Sequence, residues 1–369
     1  MKTKIAWVIP TMDRGGAEKQ LCLLARHLPR DQFDPHVFLL TRDGPLSQTL
    51  RDDDIPVTLI GKRFKADPTA LFRLRKELLR LNPDIVHTYL FAANSFGRMA
   101  ALMANVKTII ASERCVDPWK TNWQFIIDRW LAKRSAAITT NSNGVKDFYQ
   151  QRGIPGDLFK VIPNGIASAG SVESFASRSE ICERLQVDPA RKLIVAVGRL
   201  WPQKRYRDLI WAAELVATLR NDTTLVIIGD GPQSNELMRY RDSVSIPQHV
   251  RFAGHRDDVA EILQHADVFW IGSEYEGQSN SLIEAMQAGV PVVTSDIAGN
   301  RDLVVDGVTG FLVELGDTAD FARQTHAILG SAELARSMSD AARERIDREF
   351  TIEKMIQGHV ELYQRCQSR

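Results

Sequence analysis

Two glutamates eight positions apart flank a predicted helix start in the second half of the chain. Residues 273–286 read SEYEGQSNSLIEAM and follow ADVFWIG, an apolar run typical of a buried strand. Glu276 precedes the predicted helix start at Ser279–Asn280, and Glu284 lies inside the helix. Carboxylates only accept hydrogen bonds and therefore suit the hydroxyls of a sugar or ribose, while a helix start offers N–H groups to a phosphate. The alternatives are helix-cap electrostatics for Glu276 and a solvated helix face for Glu284, but apolar neighbours make an idle Glu284 costly.

Two cations lie in the segment VGRLWPQKRYRDLI. Arg199 follows a predicted strand, and Lys204 stands five residues later at a predicted helix start. A guanidinium fork and an ammonium at such a position suit a diphosphate. The alternative is that these cations belong to a solvent-exposed helix cap, since Arg205 and Arg207 extend the basic run. The position of Arg199 at the mouth of a strand favours the functional interpretation.

A pair of glycines, Gly15 and Gly16, follows the first predicted strand in DRGGAE. Small residues at a strand-to-helix turn let a phosphate approach the backbone, and a tight turn that needs positive φ is an equal alternative. His87 and Arg114 end two further strands of the first half. His87 could equally well be a catalytic histidine or a buried core histidine. For Arg114, the position at the end of a strand favours a functional role. Neither HExxH, GxSxG nor a P-loop sequence is present.

The secondary-structure elements that position these residues can be read from the sequence. Short runs of β-branched residues alternate with segments whose apolar residues recur with the period of a helix. This alternation predicts parallel, doubly wound sheets. It breaks in the Gly/Ser/Ala-rich stretch after residue 163 and then restarts. We therefore predict two tandem Rossmann-like domains, residues 1–169 and 170–350, with ligands at the carboxyl ends of the strands in an interdomain cleft. The helix at about 351–369 is predicted to return to the first domain.

Composition fits a soluble globular protein of two domains, with 369 residues, 44% hydrophobic and 25% charged. The first apolar run is too short for a signal peptide. Four scattered cysteines give no metal spacing and fit a reducing compartment.

The net charge of +1 hides a split, because residues 1–169 contain 25 Lys and Arg against 16 acids and the remainder is acidic. This split indicates a different partner for each half.

The motifs together resemble the retaining nucleotide-sugar glycosyltransferases of family 4, which have the two-Rossmann (GT-B) fold. The similarity covers nearly the whole chain. It includes, in order, GGAE, DIVH, IPNG, VGRLWPQK, IIGDGP, FAGHRDDV, EGQSNSLIEAMQAGVPVVTS and DGVTGFLV. The Glu-x7-Glu spacing followed by Ala-Met is the specific element.

The resemblance implies a role for each candidate residue. Gly16 would approach the donor diphosphate, Arg199 and Lys204 would neutralise it, Glu276 would bind the transferred sugar and Glu284 the ribose. The donor-binding set is Gly15, Gly16, Arg199, Lys204, Gly254, His255, Arg256, Glu276, Gly277, Ser279, Asn280 and Glu284. The catalytic set is Glu276, Arg199, Lys204, His87 and Arg114.

The implied reaction is hexosyl transfer with retention, by front-face attack with the leaving diphosphate as base. No metal or cofactor is required, and a UDP-sugar is the favoured donor. Many relatives carry histidines where Tyr89 and Arg114 stand here, so Arg114 would instead contact the departing phosphate or an acceptor phosphate. The alternatives are a nucleotide-sugar 2-epimerase and a non-catalytic sugar-nucleotide binding module.

The basic first half suggests a lipid-linked or cell-surface glycan acceptor and an anionic membrane surface, rather than nucleic acid. Residues 61–80 contain seven Lys and Arg with interleaved Phe and Leu, a composition that suits anionic lipid. Residues 119–134 carry Trp119, Trp123 and Trp130 near one helical face, which fits an interfacial helix but more readily a helix packed on its own sheet. The expected location is cytoplasmic, at the inner face of the membrane.

Overall fold

Each half of the chain forms a parallel β-sheet with helices on both faces in the computed structural model, which describes residues 2–167 and 176–368. The chain divides into two units, Met1–Gly165 with Thr351–Arg369, and Ile166–Phe350. The predicted boundary between residues 169 and 170 lies outside the described residues. The predicted fold class, two Rossmann-like units, is confirmed.

The first unit is built on seven parallel strands in the order β3-β2-β1-β4-β5-β6-β7. The strands are β1 Thr3–Ile9, β2 Phe33–Leu39, β3 Val57–Leu59, β4 Ile85–Tyr89, β5 Thr108–Glu113, β6 Ala137–Thr140 and β7 Phe159–Val161. The helices between them are α1 Gly16–His27, α2 Leu46–Asp52, α3 Pro68–Leu81, α4 Leu90–Met103, α5 Asn122–Ala132 and α6 Asn143–Gln151. Six of these strands match the predicted runs; β7 is missing from them because it is only three residues long, with a lysine at its centre.

The second unit contains six parallel strands in the order β10-β9-β8-β11-β12-β13. They are β8 Lys192–Val197, β9 Thr223–Ile228, β10 Val250–Gly254, β11 Val268–Ile271, β12 Val292–Ser295 and β13 Phe311–Val313. Its helices are α7 Arg178–Leu185, α8 Tyr206–Leu219, α9 Ser234–Asp242, α10 Val259–Leu263, α11 Asn280–Gln287, α12 Ala298–Arg301, α13 Thr318–Gly330 and α14 Ala332–Glu349.

Local sequence signals fix the helix ends, as α3 illustrates. Asp67 accepts hydrogen bonds from the backbone N–H groups of Thr69 and Ala70, and Pro68 occupies the first turn. Asn82 ends the helix in the left-handed conformation. The buried Ala70, Leu74 and Leu78 recur every four residues, so the helix covers the sheet along one apolar stripe.

The final helix, α15 (Ile352–Gln367), completes the core of the first unit. Ile352, Met355, Leu362 and Tyr363 are buried in the cluster that contains Trp7 of β1. The Tyr363 hydroxyl accepts a hydrogen bond from Trp7 Nε1 at 3.1 Å. The predicted return of the C-terminal helix to the first domain is therefore confirmed.

A chain ended at residue 350 is expected to lose the unfolding transition of the first unit, because it exposes this apolar cluster to water. In the full chain, Leu362→Ala should lower the free energy of unfolding by about 2–5 kcal/mol. Glu361→Ala, an exposed change in the same helix, is the matched control and should have little effect. Urea unfolding measures all three, and two intact transitions in the truncated chain would contradict the account.

Candidate functional site

Lys204 and Glu276 meet at the carboxyl end of the second sheet, although 71 residues separate them in the sequence. Lys204 Nζ donates a hydrogen bond to Glu276 Oε1, and Ser273 Oγ donates to the same oxygen at 2.8 Å. The Lys204 and Glu276 side chains are only 15% and 11% exposed. The fold therefore joins the basic and acidic motifs of the sequence into one ion pair.

Backbone contacts hold the two loops that carry this pair. Lys204 ends a short 3₁₀ turn, Pro202–Lys204, rather than starting the next helix as predicted. The N–H of Glu274 donates to the Gln203 carbonyl at 2.8 Å, which ties the loop after β11 to that turn. Ser295 Oγ, at the end of β12, donates to the Ser273 carbonyl. Glu276 is thus fixed relative to Lys204 from both sides.

Small residues let the backbone approach at this edge of the sheet. A Cβ on Gly198 would lie 3.4 Å from Lys204 Cε and 3.0 Å from the Tyr206 hydroxyl. Gly229, at the end of β9, has a φ of +137° and leaves no room for a side chain, because its Cβ would come within 2.0 Å of the Gly198 carbonyl oxygen. Burial raises the pKa of Tyr206, as does the nearby Glu276 carboxylate. The phenol beside the Lys204–Glu276 pair therefore stays neutral.

Arg199 is exposed at the end of β8, with its guanidinium 5.5 Å from the centre of the Trp201 ring. It forms no ion pair with any carboxylate in residues 2–167 and 176–368. An exposed guanidinium beside a strand mouth is available to a phosphate. Arg199 and Lys204 thus give this edge two cations, of which only Lys204 has a carboxylate partner.

The helix start predicted at Ser279–Asn280 is confirmed, since α11 begins at Asn280 with Ser279 as its N-cap. Ser279 is almost fully buried, and its hydroxyl is 3.1 Å from that of Ser281. Gly277 is buried in the preceding loop. Glu284 lies one turn into the helix and is half-buried, and its sequence neighbours Leu282, Ile283, Ala285 and Met286 are buried.

The turn at Gly254–Arg256 follows β10. Gly254 has a φ of +67°, and its carbonyl accepts a hydrogen bond from the N–H of Gly229 at 2.8 Å. His255 is exposed, 3.5 Å from Asp257. Arg256 binds Asp258 through both Nε and NH2, and this pairing lowers the pKa of the Asp258 carboxyl. The Arg256 side chain is therefore committed to Asp258, while the backbone of the turn lies at the sheet edge.

In the first unit, Gly15 caps α1 and Gly16 begins it. Gly15 has a φ of −84°, and Gly16 is not among the glycines with positive φ. The alternative of a turn that needs positive φ is therefore wrong. Gly16 is exposed at the first turn of the helix, a position compatible with the phosphate interpretation.

His87 is completely buried in β4. Its Nδ1 lies 2.9 Å from the Tyr363 hydroxyl and its Nε2 lies 3.0 Å from Ser112 Oγ. Burial holds the pKa of His87 well below its usual range, so the ring is neutral. With both ring nitrogens hydrogen-bonded and no exposed surface, the geometry favours the core histidine that the sequence offered as an alternative.

Arg114 follows β5 and is only 8% exposed. Its NH2 donates to Asn164 Oδ1, and its buried Nε has no hydrogen-bond partner among the described residues. Burial lowers the pKa of the guanidinium, though not enough to discharge an arginine. A buried cation with an unused N–H group favours an anion as its partner.

The helix in residues 119–134 does not bury its tryptophans. Trp119, Trp123, Ile126 and Trp130 are all exposed. The interpretation that these residues face the sheet is therefore wrong: Phe125, Leu131 and Ala132 of α5 fill that role. Within the described residues, no helix is long and apolar enough to cross a membrane.

Ser273, Ser295 and Tyr206 belong to the site although the sequence did not single them out. Ser273 stands in the quoted motif, three residues before Glu276, and its position at a strand end was a usable signal. Tyr206 and Ser295 also stand in the quoted segments, but their contacts with Glu276 and Ser273 join parts that are distant in sequence.

Two Rossmann-like units with a cation–carboxylate pair at the strand ends of the second unit are what the resemblance to nucleotide-sugar glycosyltransferases leads us to expect. Comparison with known families agrees. Residues 14–169 match the model described as Glycosyltransferase Family 4, and residues 177–345 match the model described as Glycosyl transferases group 1. The chain therefore belongs to the family 4 glycosyltransferases of the GT-B fold.

Individual relatives and solved structures agree with this family. The UDP-Gal:alpha-D-GlcNAc-diphosphoundecaprenol alpha-1,3-galactosyltransferase of Escherichia coli is 29% identical over 358 residues, which cover 91% of this chain and 90% of that protein. The putative glycosyltransferase EpsD of Bacillus subtilis is 26% identical and covers 82% of this chain and 84% of its own. The structure of Anabaena HepE with UDP and glucose has a TM-score of 0.88 at 22% identity, covering 98% of this chain and 99% of that one.

Proposed function

We propose that this glycosyltransferase moves a hexosyl unit from a UDP-sugar to a lipid-linked or cell-surface glycan acceptor, with retention of anomeric configuration and without a metal. The observation that carries the proposal is the Lys204–Glu276 pair, steadied by Ser273 and flanked by Arg199, which forms no ion pair within residues 2–167 and 176–368. These groups supply both halves of a donor site: cations for a diphosphate and a carboxylate for sugar hydroxyls.

On donor binding, Lys204 and Glu276 would give up their contact with each other and bind parts of the donor instead. Lys204 and Arg199 would turn to the diphosphate, and Glu276 would accept hydrogen bonds from the sugar. Glu284, one turn into α11, would accept from the ribose hydroxyls, and the N–H groups at Ser279 and Asn280 would face a phosphate. The backbone at Gly254–Arg256 would border the base.

The bond changes follow from these positions. The bond between C1 and the diphosphate oxygen breaks, and its electron pair stays on the phosphate, where Arg199 and Lys204 stabilise the charge. The acceptor oxygen bonds to C1 on the same face, and its proton passes to the departing phosphate oxygen. The reaction thus requires no protein base, which is consistent with His87 being buried and hydrogen-bonded at both nitrogens.

The relatives support the choice of donor and acceptor. The E. coli relative is named for a UDP-Gal donor and a diphosphoundecaprenol acceptor, and HepE has been solved with UDP and with UDP-glucose. An acceptor of this kind is held in a membrane, so we propose that the enzyme works at the cytoplasmic face of the membrane. The basic first half of the chain suits that location.

Arg114 would bind a phosphate of the acceptor or the departing diphosphate. Arg114→Gln should therefore raise the acceptor KM by about 10–100-fold, the loss of one charge-assisted hydrogen bond at a buried site. Its effect on the KM of the UDP-sugar should be small if the anion belongs to the acceptor, and large if it belongs to the donor. Arg251→Gln, a change in an arginine of the second unit whose Nε donates to the Leu185 carbonyl, is the control. Unchanged KM values for both substrates would contradict an anion-binding role.

The proposal is tested by combining ligand binding with product analysis. In a thermal-shift screen of UDP-, GDP- and ADP-sugars, the true donor at 100 times its Kd should stabilise the protein by about 2.7 kcal/mol. Product analysis with and without acceptor then separates the reactions. Glycosylated acceptor supports transfer, whereas free UDP with an isomerised sugar would indicate the 2-epimerase alternative. Binding without turnover would indicate a non-catalytic module.

A further inference from the structure

A stripe of tryptophans lies along the outer face of α5 in the first unit. Trp119 lies in the turn before the helix, and Trp123, Ile126 and Trp130 follow in α5 with spacings of three and four residues, which places these three on one side of the helix. They are 53%, 59%, 57% and 42% exposed. Monomeric soluble proteins rarely expose large apolar patches, and such patches mark interaction sites, so the stripe is a candidate docking surface.

A second exposed face occurs on α3, two helices earlier in the same layer. Phe72 and Leu79 are about half exposed there. Ile109 of β5 packs in the cluster formed with α3 and α4, and Ala111 packs in the cluster that contains α5. Alternate residues of a strand point to the same side of the sheet, so α3, α4 and α5 cover one side, with α4 in contact with both neighbours. The two exposed faces thus belong to one helical layer.

The charges of α3 and α5 are sorted between inside and outside. Lys76, Arg80, Lys133 and Arg134 are exposed around these faces. Two of the carboxylates, Asp67 and Asp128, are fully buried, and the third, Glu77 of α3, is half-buried. The layer therefore presents cations and aromatic rings to the outside, the combination that favours the interface of an anionic bilayer.

Buried ionic contacts make the α5 stripe a rigid surface. Asp128 accepts from Lys120 Nζ at 3.0 Å and from Arg98 NH2 at 3.1 Å. Lys120 directly follows Trp119. The Trp119 ring packs edge-to-face on Phe91, with the two ring centroids 5.5 Å apart. At the other end, the guanidinium of Arg134 lies 3.9 Å from the centre of the Trp130 ring. Trp119 and Trp130 are therefore held by contacts within their own unit while each stays about half exposed.

We propose that the α3–α5 layer is a membrane-docking surface, which inserts Trp119, Trp123, Ile126 and Trp130 into the interfacial region of an anionic bilayer while the surrounding lysines and arginines contact lipid phosphates. The proposal rests on the proposed function, because a lipid-linked acceptor requires the enzyme to work at a bilayer. The α5 stripe supplies apolar anchoring, and the cations on α3 supply the electrostatic attraction.

The test is co-sedimentation with vesicles of phosphatidylcholine containing phosphatidylglycerol. The wild-type protein should pellet, and Trp123→Gln/Ile126→Gln should lower the partition coefficient by at least about tenfold. Both side chains are exposed, so the fold should be unaffected. The control is Trp211→Gln on α8 of the second unit, an exposed tryptophan that should leave binding unchanged. Lys76→Gln/Arg80→Gln should weaken binding and flatten its salt dependence.

Three results would overturn the proposal: failure of the wild type to pellet, a double variant that binds like the wild type, or a wild-type dimer that the double variant converts to a monomer. The last result would assign the stripe to a second copy of this chain. Binding of UDP-sugars by the double variant, measured by thermal shift, should equal that of the wild type. If the wild type binds vesicles but transfers no sugar to any lipid-linked acceptor, the proposed function fails and the docking surface stands.

Discussion

Lys204→Ala is expected to lower kcat by about 10²–10³-fold while the protein remains folded. Lys204 Nζ lies at the carboxyl end of the second sheet, where the proposed donor diphosphate would gain charge as its bond to C1 breaks. The loss of one electrostatic stabiliser aimed at such a charge has an effect of this size. Because the diphosphate is also present in the ground state, the Kd of UDP should rise as well. Steady-state kinetics and UDP titration measure both effects.

The matched control is Lys192→Ala. Lys192 forms an ion pair with Asp267 at 3.1 Å in the same unit, but it lies at the start of β8, the opposite end of the sheet. Its loss removes the same charge from the unit without touching the donor end, so kcat and the Kd of UDP should be unchanged. Near-normal sugar transfer by Lys204→Ala, or an equal loss in both variants, would refute the diphosphate role.

Glu276→Gln is expected to separate binding of the sugar from binding of the nucleotide. Glu276 would accept hydrogen bonds from sugar hydroxyls, and an amide can accept only through its single oxygen. We expect kcat/KM for the UDP-sugar to fall by at least about 10–100-fold, the value of charge-assisted hydrogen bonds. The Kd of UDP alone should stay the same or decrease, since Lys204 loses its carboxylate partner and becomes free for the diphosphate.

The control for this variant is Glu261→Gln, which removes an exposed carboxylate that binds Arg184 in the same unit. It should leave both measurements unchanged. If Glu276→Gln weakens UDP and UDP-sugar equally, Glu276 does not contact the sugar. Such a result would reduce the Lys204–Glu276 pair to a structural contact.

The fold was predictable because both sheets are parallel and buried. Their strands read as short runs of β-branched residues, separated by helices with clear ends, as in α3 between Asp67 and Asn82. The short β7 lacks such a run. Its pairing with β6 depends on the neighbouring strand, which local sequence does not contain.

The site was predictable at its strand ends and less so in its contacts. The motifs identified Lys204 and Glu276, but their direct contact arises from the packing of two loops. For His87, the sequence could not choose between a catalytic and a core role. Its main partner, Tyr363, comes from the last helix, and that contact removes both the exposure and the free nitrogen that a catalytic role requires.

The exposed face of α5 was misjudged because the helix is apolar on two sides. Phe125 and Leu131 pack on the sheet, while Trp123 and Trp130 face outward. Spacing shows that the tryptophans share a face, but it cannot show which of two apolar faces meets the sheet. The buried ion pairs of Asp128 with Lys120 and Arg98 hold the Asp128 side of the helix toward the interior of the unit.

The most direct test of the central claim is the configuration of the product. The protein would be incubated with UDP-α-galactose or UDP-α-glucose labelled with ¹³C at C1, together with a diphosphoundecaprenol-linked acceptor sugar, and the product examined by NMR. The account predicts a new glycosidic bond at C1 in the α configuration of the donor, with Lys204→Ala forming it far more slowly. A β-linked product, or release of free sugar without a new bond, would contradict retaining transfer by this enzyme.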